Sequence, residues 1–359
     1  MFRSEDEFVR WLEKLNESPQ GREGVRTARG AGGVKLGLGD DAALVSVKEK
    51  HELILTTDMS IEGVHFTHGL HPAQAVGHRA LARSLSDVAA MGGVPRYVLV
   101  SLAISRQAGR DWVARFYHGM RTLARRFGVR LVGGDTAVVP ARTMIDVLVA
   151  GEVPPGKAVR RSGARAGDLI FASGRLGLSA LGLRLLRKQP AGWLESAHAL
   201  RPGAAGSSAK DERRVAAPLA REAVSAHLYP EPQCALGRFL SRRGLASALI
   251  DLSDGLSTDL SRLCAASGVG ARLWAAKIPR PGLPGAADSL RLALHGGEDY
   301  QLLFTVPPRQ AARLPAKFQA RPLYNLGEIE AAKGVRLVTV EGKVRTLEPA
   351  GWDYFRAGA

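Results

Sequence analysis

Two adjacent carboxylates, Asp40 and Asp41, sit in the glycine-rich stretch Gly37-Leu38-Gly39-Asp40-Asp41-Ala42-Ala43, just ahead of an apolar run. Neighbours this small leave room for something to approach both acids closely. Similar acids recur in Leu55-Thr56-Thr57-Asp58, Ser86-Asp87, Gly133-Gly134-Asp135, Asp251-Leu252-Ser253-Asp254-Gly255 and Gly296-Gly297-Glu298-Asp299. Most adjoin strand-like apolar runs, so each acid is expected at a strand end. One Gly-Asp pair is ordinary turn composition; six clusters in one chain point to convergence on a polycationic centre. Mg²⁺ takes carboxylate and hydroxyl oxygens and reaches phosphates through one or two carboxylates. Thr56, Thr57 and Ser253 place hydroxyls beside these acids. The nine histidines form no HExxH or comparable zinc spacing. Asp259, on a helix beyond the Asp254-Gly255 turn, reads as a structural acid.

Two nucleotide-binding signatures fail on their own residues. Gly151 to Lys157 has the spacing of a phosphate loop, but Ala158 stands where a hydroxyl should meet Mg²⁺. Pro154 and Pro155 also lack the backbone N–H groups that such a loop aims at phosphate. That stretch reads as an interdomain turn. Gly37-x-Gly39-x-x-Ala42 resembles a dinucleotide fingerprint, yet Asp40 and Asp41 would repel a pyrophosphate unless cations intervene.

The elements that must position these acids follow from periodicity. Ser4 and Glu7 form a capping box ahead of the stripe Phe8, Trp11, Leu12 and Leu15. Residues 18–33 read as a loop. Strands are expected at 42–47, 52–57, 96–104, 129–133 and 143–153, with helices at 73–91 and 110–127. Beyond Pro154-Pro155-Gly156, strands are expected at 168–172, 246–250, 269–274, 300–306, 322–329 and 335–340. Helices are expected at 176–188, 233–243 and 256–267, and residues 189–212 read as a loose excursion. Alternating strands and helices give an α/β or α+β class. A chain of 359 residues exceeds the usual size of one core, so two domains are expected, 1–153 and 154–359.

The formal charge is +16, which raises the question of nucleic acid. The arginines are dispersed, as at Arg115, Arg121, Arg125, Arg126 and Arg130, without a basic tail or interleaved aromatics. No nucleic-acid function is expected; an anionic small substrate suits the charge as well. Two cysteines, Cys234 and Cys264, form no disulfide framework. The acidic N-terminus lacks the apolar segment of a signal peptide, and no apolar run is long enough to span a membrane. The expectation is a cytoplasmic protein without a membrane partner.

In order along the chain stand Gly39-Asp40-Asp41-Ala42-Ala43, Thr56-Thr57-Asp58, Glu62-Gly63-Val64-His65-Phe66 and Ser86-Asp87-Val88-Ala89-Ala90-Met91-Gly92. Then come Gly133-Gly134-Asp135-Thr136, Arg160-Arg161-Ser162-Gly163, Asp251-Leu252-Ser253-Asp254-Gly255-Leu256 and Gly297-Glu298-Asp299-Tyr300. Together these resemble the thiamine-monophosphate kinase family, within the aminoimidazole-ribonucleotide-synthetase-like superfamily, over nearly the whole chain. The resemblance implies transfer of the γ-phosphoryl group of ATP to thiamine monophosphate. It also implies a two-domain fold and a homodimer whose N-terminal sheets join into a barrel, with an α/β C-terminal domain. Asp41, Thr56, Thr57, Asp58, Asp87, Asp135, Asp251 and Asp254 would hold several Mg²⁺ ions. Tyr117, Gly134, Asp135, Arg161 and Ser253 would contact ATP, and His65, Glu298 and Trp352 the thiamine substrate. Asp58, Asp135 and Arg161 would carry the catalysis.

Elementary chemistry agrees with this assignment. A phosphate monoester has a second pKa near 6, so the acceptor is largely a dianion at neutral pH and needs no strong base. The obstacle is bringing it against a polyanionic triphosphate, so positioning and charge neutralisation must do the work. Trp352 could stack on the cationic thiazolium. The chain departs from the family pattern at Arg83-Ser84, where a small residue followed by Asn is expected. Selenophosphate synthetase would need a reactive cysteine near the N-terminus, and none precedes Cys234. A hydrogenase-maturation relative would carry a C-terminal cysteine, whereas this sequence ends Arg356-Ala357-Gly358-Ala359. Aminoimidazole ribonucleotide synthetase remains the alternative within the superfamily.

Overall fold

The computed structural model describes residue 11 and residues 34–36, 44–45, 47–188, 218–282 and 286–352. Apart from helical Trp11, the expected N-terminal helix, the loop 18–33, the Asp40-Asp41 turn and the whole 189–212 excursion lie outside the described residues. The chain divides into two compact units. The first reaches Ser84 and resumes over Val94–Pro155; the second takes Leu85–Gly93 and the residues from Gly156 onward. Leu85–Gly93 joins the second unit through specific contacts. The Val159 amide donates to Met91 O, Ser241 Oγ donates to Lys157 O, and the Cys234 thiol reaches Leu85 O.

In the first unit, strands β1 (Val34–Leu36) and β2 (Leu44–Val45) pair antiparallel. Strands β3 (Glu52–Ile61), β4 (Val94–Ser105), β5 (Arg130–Val139) and β6 (Met144–Val153) form a sheet in the order β3-β6-β4-β5. Only the β4–β5 pair is parallel. Helices α1 (Ala73–Ala90) and α2 (Arg110–Phe127) lie between these strands in sequence. Helix α2 buries Val113, Phe116, Tyr117, Met120, Leu123 and Ala124, the stripe a 3.6-residue period demands. It ends at Gly128, whose φ of 65° is the left-handed C-cap glycine takes without strain. The crossing of α1 and α2 is close: a Cβ at Gly77 would meet Phe116 O at 1.9 Å.

One face of this sheet is buried under Ile145, Val147, Val149, Val98 and Val100. The alternate residues of the same strands face the other way, as the two-residue period requires. There Leu53, Leu55, Met59 and Met144 remain between 45% and 63% exposed. Among the described residues, no sheet closes into a barrel within the single chain.

The second unit holds β7 (Leu169–Ser173), β8 (Ala248–Asp251), β9 (Gly270–Trp274), β10 (Leu302–Val306), β11 (Lys317–Phe318), β12 (Arg321–Glu330), β13 (Gly334–Val338) and β14 (Val344–Thr346). Their order is β14-β13-β9-β12-β7-β10-β8, with β11 paired to β12. The helices are α3 (Leu178–Leu186), α4 (Pro218–Leu228), α5 (Cys234–Arg243), α6 (Leu256–Ser267), α7 (Ala286–His295) and the short α8 (Pro308–Ala311). Ile170, Ile250, Leu260, Leu263, Leu303 and Leu326 form the centre of its core. Periodicity anticipates most of these elements, but not α4, α7, α8, β11 or β14. No described helix is long and apolar enough to cross a membrane.

Candidate active site

Asp58 and Asp135, in the first unit, lie inside strands, not at strand ends. Asp58 is the seventh residue of β3 and Asp135 the sixth of β5. Register then sets their neighbours: Asp58 lies in line with Val147, Val100 and Gly134, and Met59 with Asp146, Ser101 and Asp135. Residues in register share a face, so Thr56 and Asp58 look toward the buried side, and Thr57 and Asp135 toward the open one. Gly134 can sit at this place only as glycine. Its φ is 153°, and a Cβ would come within 2.0 Å of Val100 O.

On the open face the Thr57 hydroxyl donates to Asp146 Oδ1 over 2.7 Å. Sequence reasoning passed over Asp146; the signal was an acid within the apolar run Met144-Ile145-Asp146-Val147-Leu148. Asp135 is exposed, and one of its oxygens accepts from the Thr136 amide at 2.8 Å. On the buried side, Asp58 Oδ1 lies 3.6 Å from the Arg83 guanidinium, and Oδ2 is buried without a hydrogen-bond partner among the described residues.

His65 follows the end of β3. Its Nδ1 accepts the Ile61 amide at 3.0 Å, which leaves Nε2 as the protonated nitrogen of the neutral ring. Burial, then the charges of Arg83 and Arg79, lower its pKa to about 4. It is therefore a neutral donor at physiological pH. Tyr117 is enclosed in α2 at 1% exposure, edge-on to Phe116 and to Trp11. Burial raises its pKa far above the usual tyrosine value.

In the second unit the Asp251–Asp254 loop leaves the end of β8 and is tied down from several sides. Asp251 is buried and accepts from Ser86 Oγ at 2.7 Å. Asp259 Oδ2 accepts the Asp254 and Gly255 amides, each at 3.0 Å. Burial and then the nearby Asp254 charge push the Asp259 pKa up to about 7. Asp254 itself is paired with Arg262.

Opposite, the Glu298 amide donates to Ser253 O at 2.7 Å and the Tyr300 amide to Leu252 O at 2.9 Å. Both Glu298 and Tyr300 hold left-handed backbone, with φ of 57° and 48°. The Trp352 amide donates to Asp254 O at 3.0 Å, and its side chain is 45% exposed. The structure thus gathers Ser253, Asp254, Glu298 and Trp352 around one loop. Asp87 lies beside Ser86 near the end of α1. Arg161 is exposed, while its carbonyl accepts from Ser267 Oγ at 2.8 Å. The remaining expected ligand, Asp41, lies outside the described residues.

Among the described residues, no three His, Cys, Asp or Glu side chains converge as a preformed metal cluster. The donor chemistry nevertheless suits a hard cation. The oxygens are carboxylate and hydroxyl throughout, and a buried carboxylate oxygen without a donor, as at Asp58, is one that a cation would satisfy.

Residues 39–153 match the family model for the AIR synthase related protein, N-terminal domain, and residues 165–340 match that for its C-terminal domain. The chain is 36% identical to a thiamine-monophosphate kinase of Escherichia coli O157:H7, covering 90% of this chain and 92% of that one. The crystal structure of thiamine-monophosphate kinase from Stenotrophomonas maltophilia K279a superposes with a TM-score of 0.73 at 33% identity, over 90% of this chain and 94% of that one. A structure of AaThiL complexed with AMPPCP and TMP covers 99% of both chains, with a TM-score of 0.70 and 29% identity. Motif order, two-part architecture and full-length similarity agree: the chain belongs to the thiamine-monophosphate kinase family.

Proposed function

We propose that this chain transfers the γ-phosphoryl group of ATP to thiamine monophosphate, giving thiamine diphosphate and ADP, as the last step of thiamine diphosphate formation. The observation that carries the reading is similarity over 99% of both chains to a structure holding an ATP analogue and TMP. In the reaction an oxygen of the acceptor phosphate forms a bond to Pγ while the bond from Pγ to the bridging oxygen breaks and ADP departs. No proton must leave the acceptor first, because it is already a dianion.

Thr56, Thr57, Asp58, Asp87, Asp135, Asp251 and Asp254, together with Asp41, are the residues we assign to Mg²⁺. When bound, those ions would neutralise the phosphate charges and the charge that develops on the leaving oxygen. The chain's own part is to orient the two anions. Gly134 presents bare backbone, Asp135 an exposed carboxylate, Ser253 a hydroxyl and Arg161 a guanidinium to the nucleotide. The enclosure of Tyr117 supports a packing role for that ring in place of contact with ATP. His65, held neutral, would donate a hydrogen bond without acting as a base. Glu298 would face the cationic thiazolium side of the acceptor, and the exposed Trp352 ring would cover it.

We further assign the open sheet face bearing Leu53, Leu55, Met59 and Met144 to a second copy of the chain, so that two such sheets complete a barrel. An apolar face this exposed supports burial against a partner. The buried free thiols Cys234 and Cys264 support a reducing, cytoplasmic setting.

The test is ADP release from MgATP with and without thiamine monophosphate, with thiamine diphosphate followed in parallel. Stimulated release with matching diphosphate is expected. Release without diphosphate would leave the nucleotide site and overturn the acceptor.

A further inference from the structure

Arg83, on α1, places a permanent positive charge beside one of the carboxylates assigned to metal. The guanidinium reaches from α1 to the buried side of β3. Nη2 lies 3.6 Å from Asp58 Oδ1, and Nη1 donates to Ser60 Oγ at 3.5 Å. The two side chains are 13% and 21% exposed, so solvent and salt screen the pair weakly. One carboxylate oxygen is thereby matched to a permanent positive charge. The other, Oδ2, is enclosed and has no donor among the described residues. The charge is felt nearby as well, because Arg83 is the second cause, after burial, of the depressed His65 pKa.

We propose that Arg83 is a fixed cation that shares the Asp58 carboxylate with a divalent metal ion and weakens its hold on that ion. This rests on the assignment of Asp58 as a metal ligand made above. The effect is electrostatic. A carboxylate alone offers a divalent ion a full negative charge, whereas one already facing a guanidinium offers a nearly neutral pair with one oxygen to spare. The ion then binds less tightly. When it is absent, Asp58 does not stand bare toward an incoming phosphate. The chain keeps one positive charge in place that a small residue at position 83 could not supply.

The test is Mn²⁺ binding to the full chain, followed by the electron paramagnetic resonance signal of free Mn²⁺ without nucleotide or turnover. Wild type is compared with Arg83→Gln, Arg83→Lys and Asp58→Asn. Removing the charge in Arg83→Gln is expected to tighten binding about tenfold. Arg83→Lys, which keeps the charge, should stay close to wild type, and Asp58→Asn should lose the site. If Asp58→Asn weakens binding while Arg83→Gln matches wild type, the proposal falls alone. If Gln and Lys tighten binding equally, the effect is one of space and the proposal also falls. If Asp58→Asn changes nothing, Asp58 is not a ligand, and that assignment falls first and takes the proposal with it. Should Arg83→Gln not fold, Arg83→Met carries the same comparison.

Discussion

Ser86 Oγ donates to Asp251 Oδ2 over 2.7 Å, joining two buried side chains 165 residues apart in sequence. The bond ties the last turns of α1 to the strand end that opens the Asp251–Asp254 loop. In Ser86→Ala the buried carboxylate loses this donor. The expected cost is about 1–3 kcal/mol of unfolding free energy. Urea denaturation reads it directly, and an unchanged midpoint would show that the bond contributes nothing.

Asp135 is the opposite case, exposed and, among the described residues, held by its neighbour's amide. Asp135→Asn should leave the thermal midpoint within about 2 °C of wild type, because exposed substitutions usually change stability by no more than about 0.5 kcal/mol. Turnover should drop about a hundredfold or more, the scale at which a single group acting on transition-state charge is felt. A wild-type rate in this variant would remove Asp135 from the catalytic set.

For Trp352 the backbone is anchored through its amide to Asp254 O, so the ring can be removed without freeing the chain. Trp352→Ala should raise the KM for thiamine monophosphate about tenfold, within the range of a desolvated cation–π contact. The kcat and the KM for ATP should hold. A fall in kcat with an unchanged KM for thiamine monophosphate would contradict stacking on the acceptor.

The stability of the fold should depend on pH through Asp299. Its carboxylate accepts the Gly177 amide at 2.6 Å and the Ser179 amide at 3.1 Å, at the start of α3. Burial is the largest influence on it and raises its pKa to about 7, against the hydrogen bonds that lower it. Between its ordinary value of 3.8 and about 7, the native state holds a proton that the unfolded state has lost. This group's contribution is therefore complete below pH 3.8 and is lost as pH rises through 7. His65 runs the other way. With its pKa lowered from 6.5 to about 4, its contribution grows as pH rises through that interval. Asp299→Asn should remove the falling part, so its stability should rise more steeply from pH 4 to pH 7 than that of wild type. Denaturation at the two ends measures this, and parallel profiles for the two proteins would refute it.

The open face of the first sheet gives a prediction about assembly. Leu55 is 63% exposed at its middle, so Leu55→Glu should convert a dimer into a monomer on light scattering with little loss of monomer stability. A wild-type protein that is already monomeric would remove the barrel from the proposal.

Much of the architecture is legible in the sequence because the patterns are strong. The α2 stripe is a full 3.6-residue repeat, and Val94–Ser105 and Met144–Val153 are long apolar strands. The middle of β5 is not, because Gly133-Gly134-Asp135 has the composition of a turn. It stays extended because β4 pairs along its whole length and leaves no room for a Cβ at Gly134. Helix α7 escapes notice since Gly282 and Pro284 precede it and two glycines follow its end. The order of acids along the chain is legible, but their placement on opposite faces is not. Thr56-Thr57-Asp58 reads as one cluster until pairing with β6 shows that adjacent residues point apart. Asp146 shows the same limit: it enters the site only because register places it in line with Asp135.

Glu298 holds a backbone conformation in which glycine would be relaxed, and Tyr300 does the same two residues later. Left-handed backbone at such residues costs about 1–3 kcal/mol each. The amide bonds to Ser253 and Leu252 enforce that conformation whatever side chain is present. The carboxylate at 298 lies 3.7 Å from Nδ1 of the buried His227, so the residue is held at its tip as well as at its backbone. A recognition group mounted this way loses little freedom when its partner arrives. Flexibility that would otherwise be lost at each encounter has already been given up once, during folding.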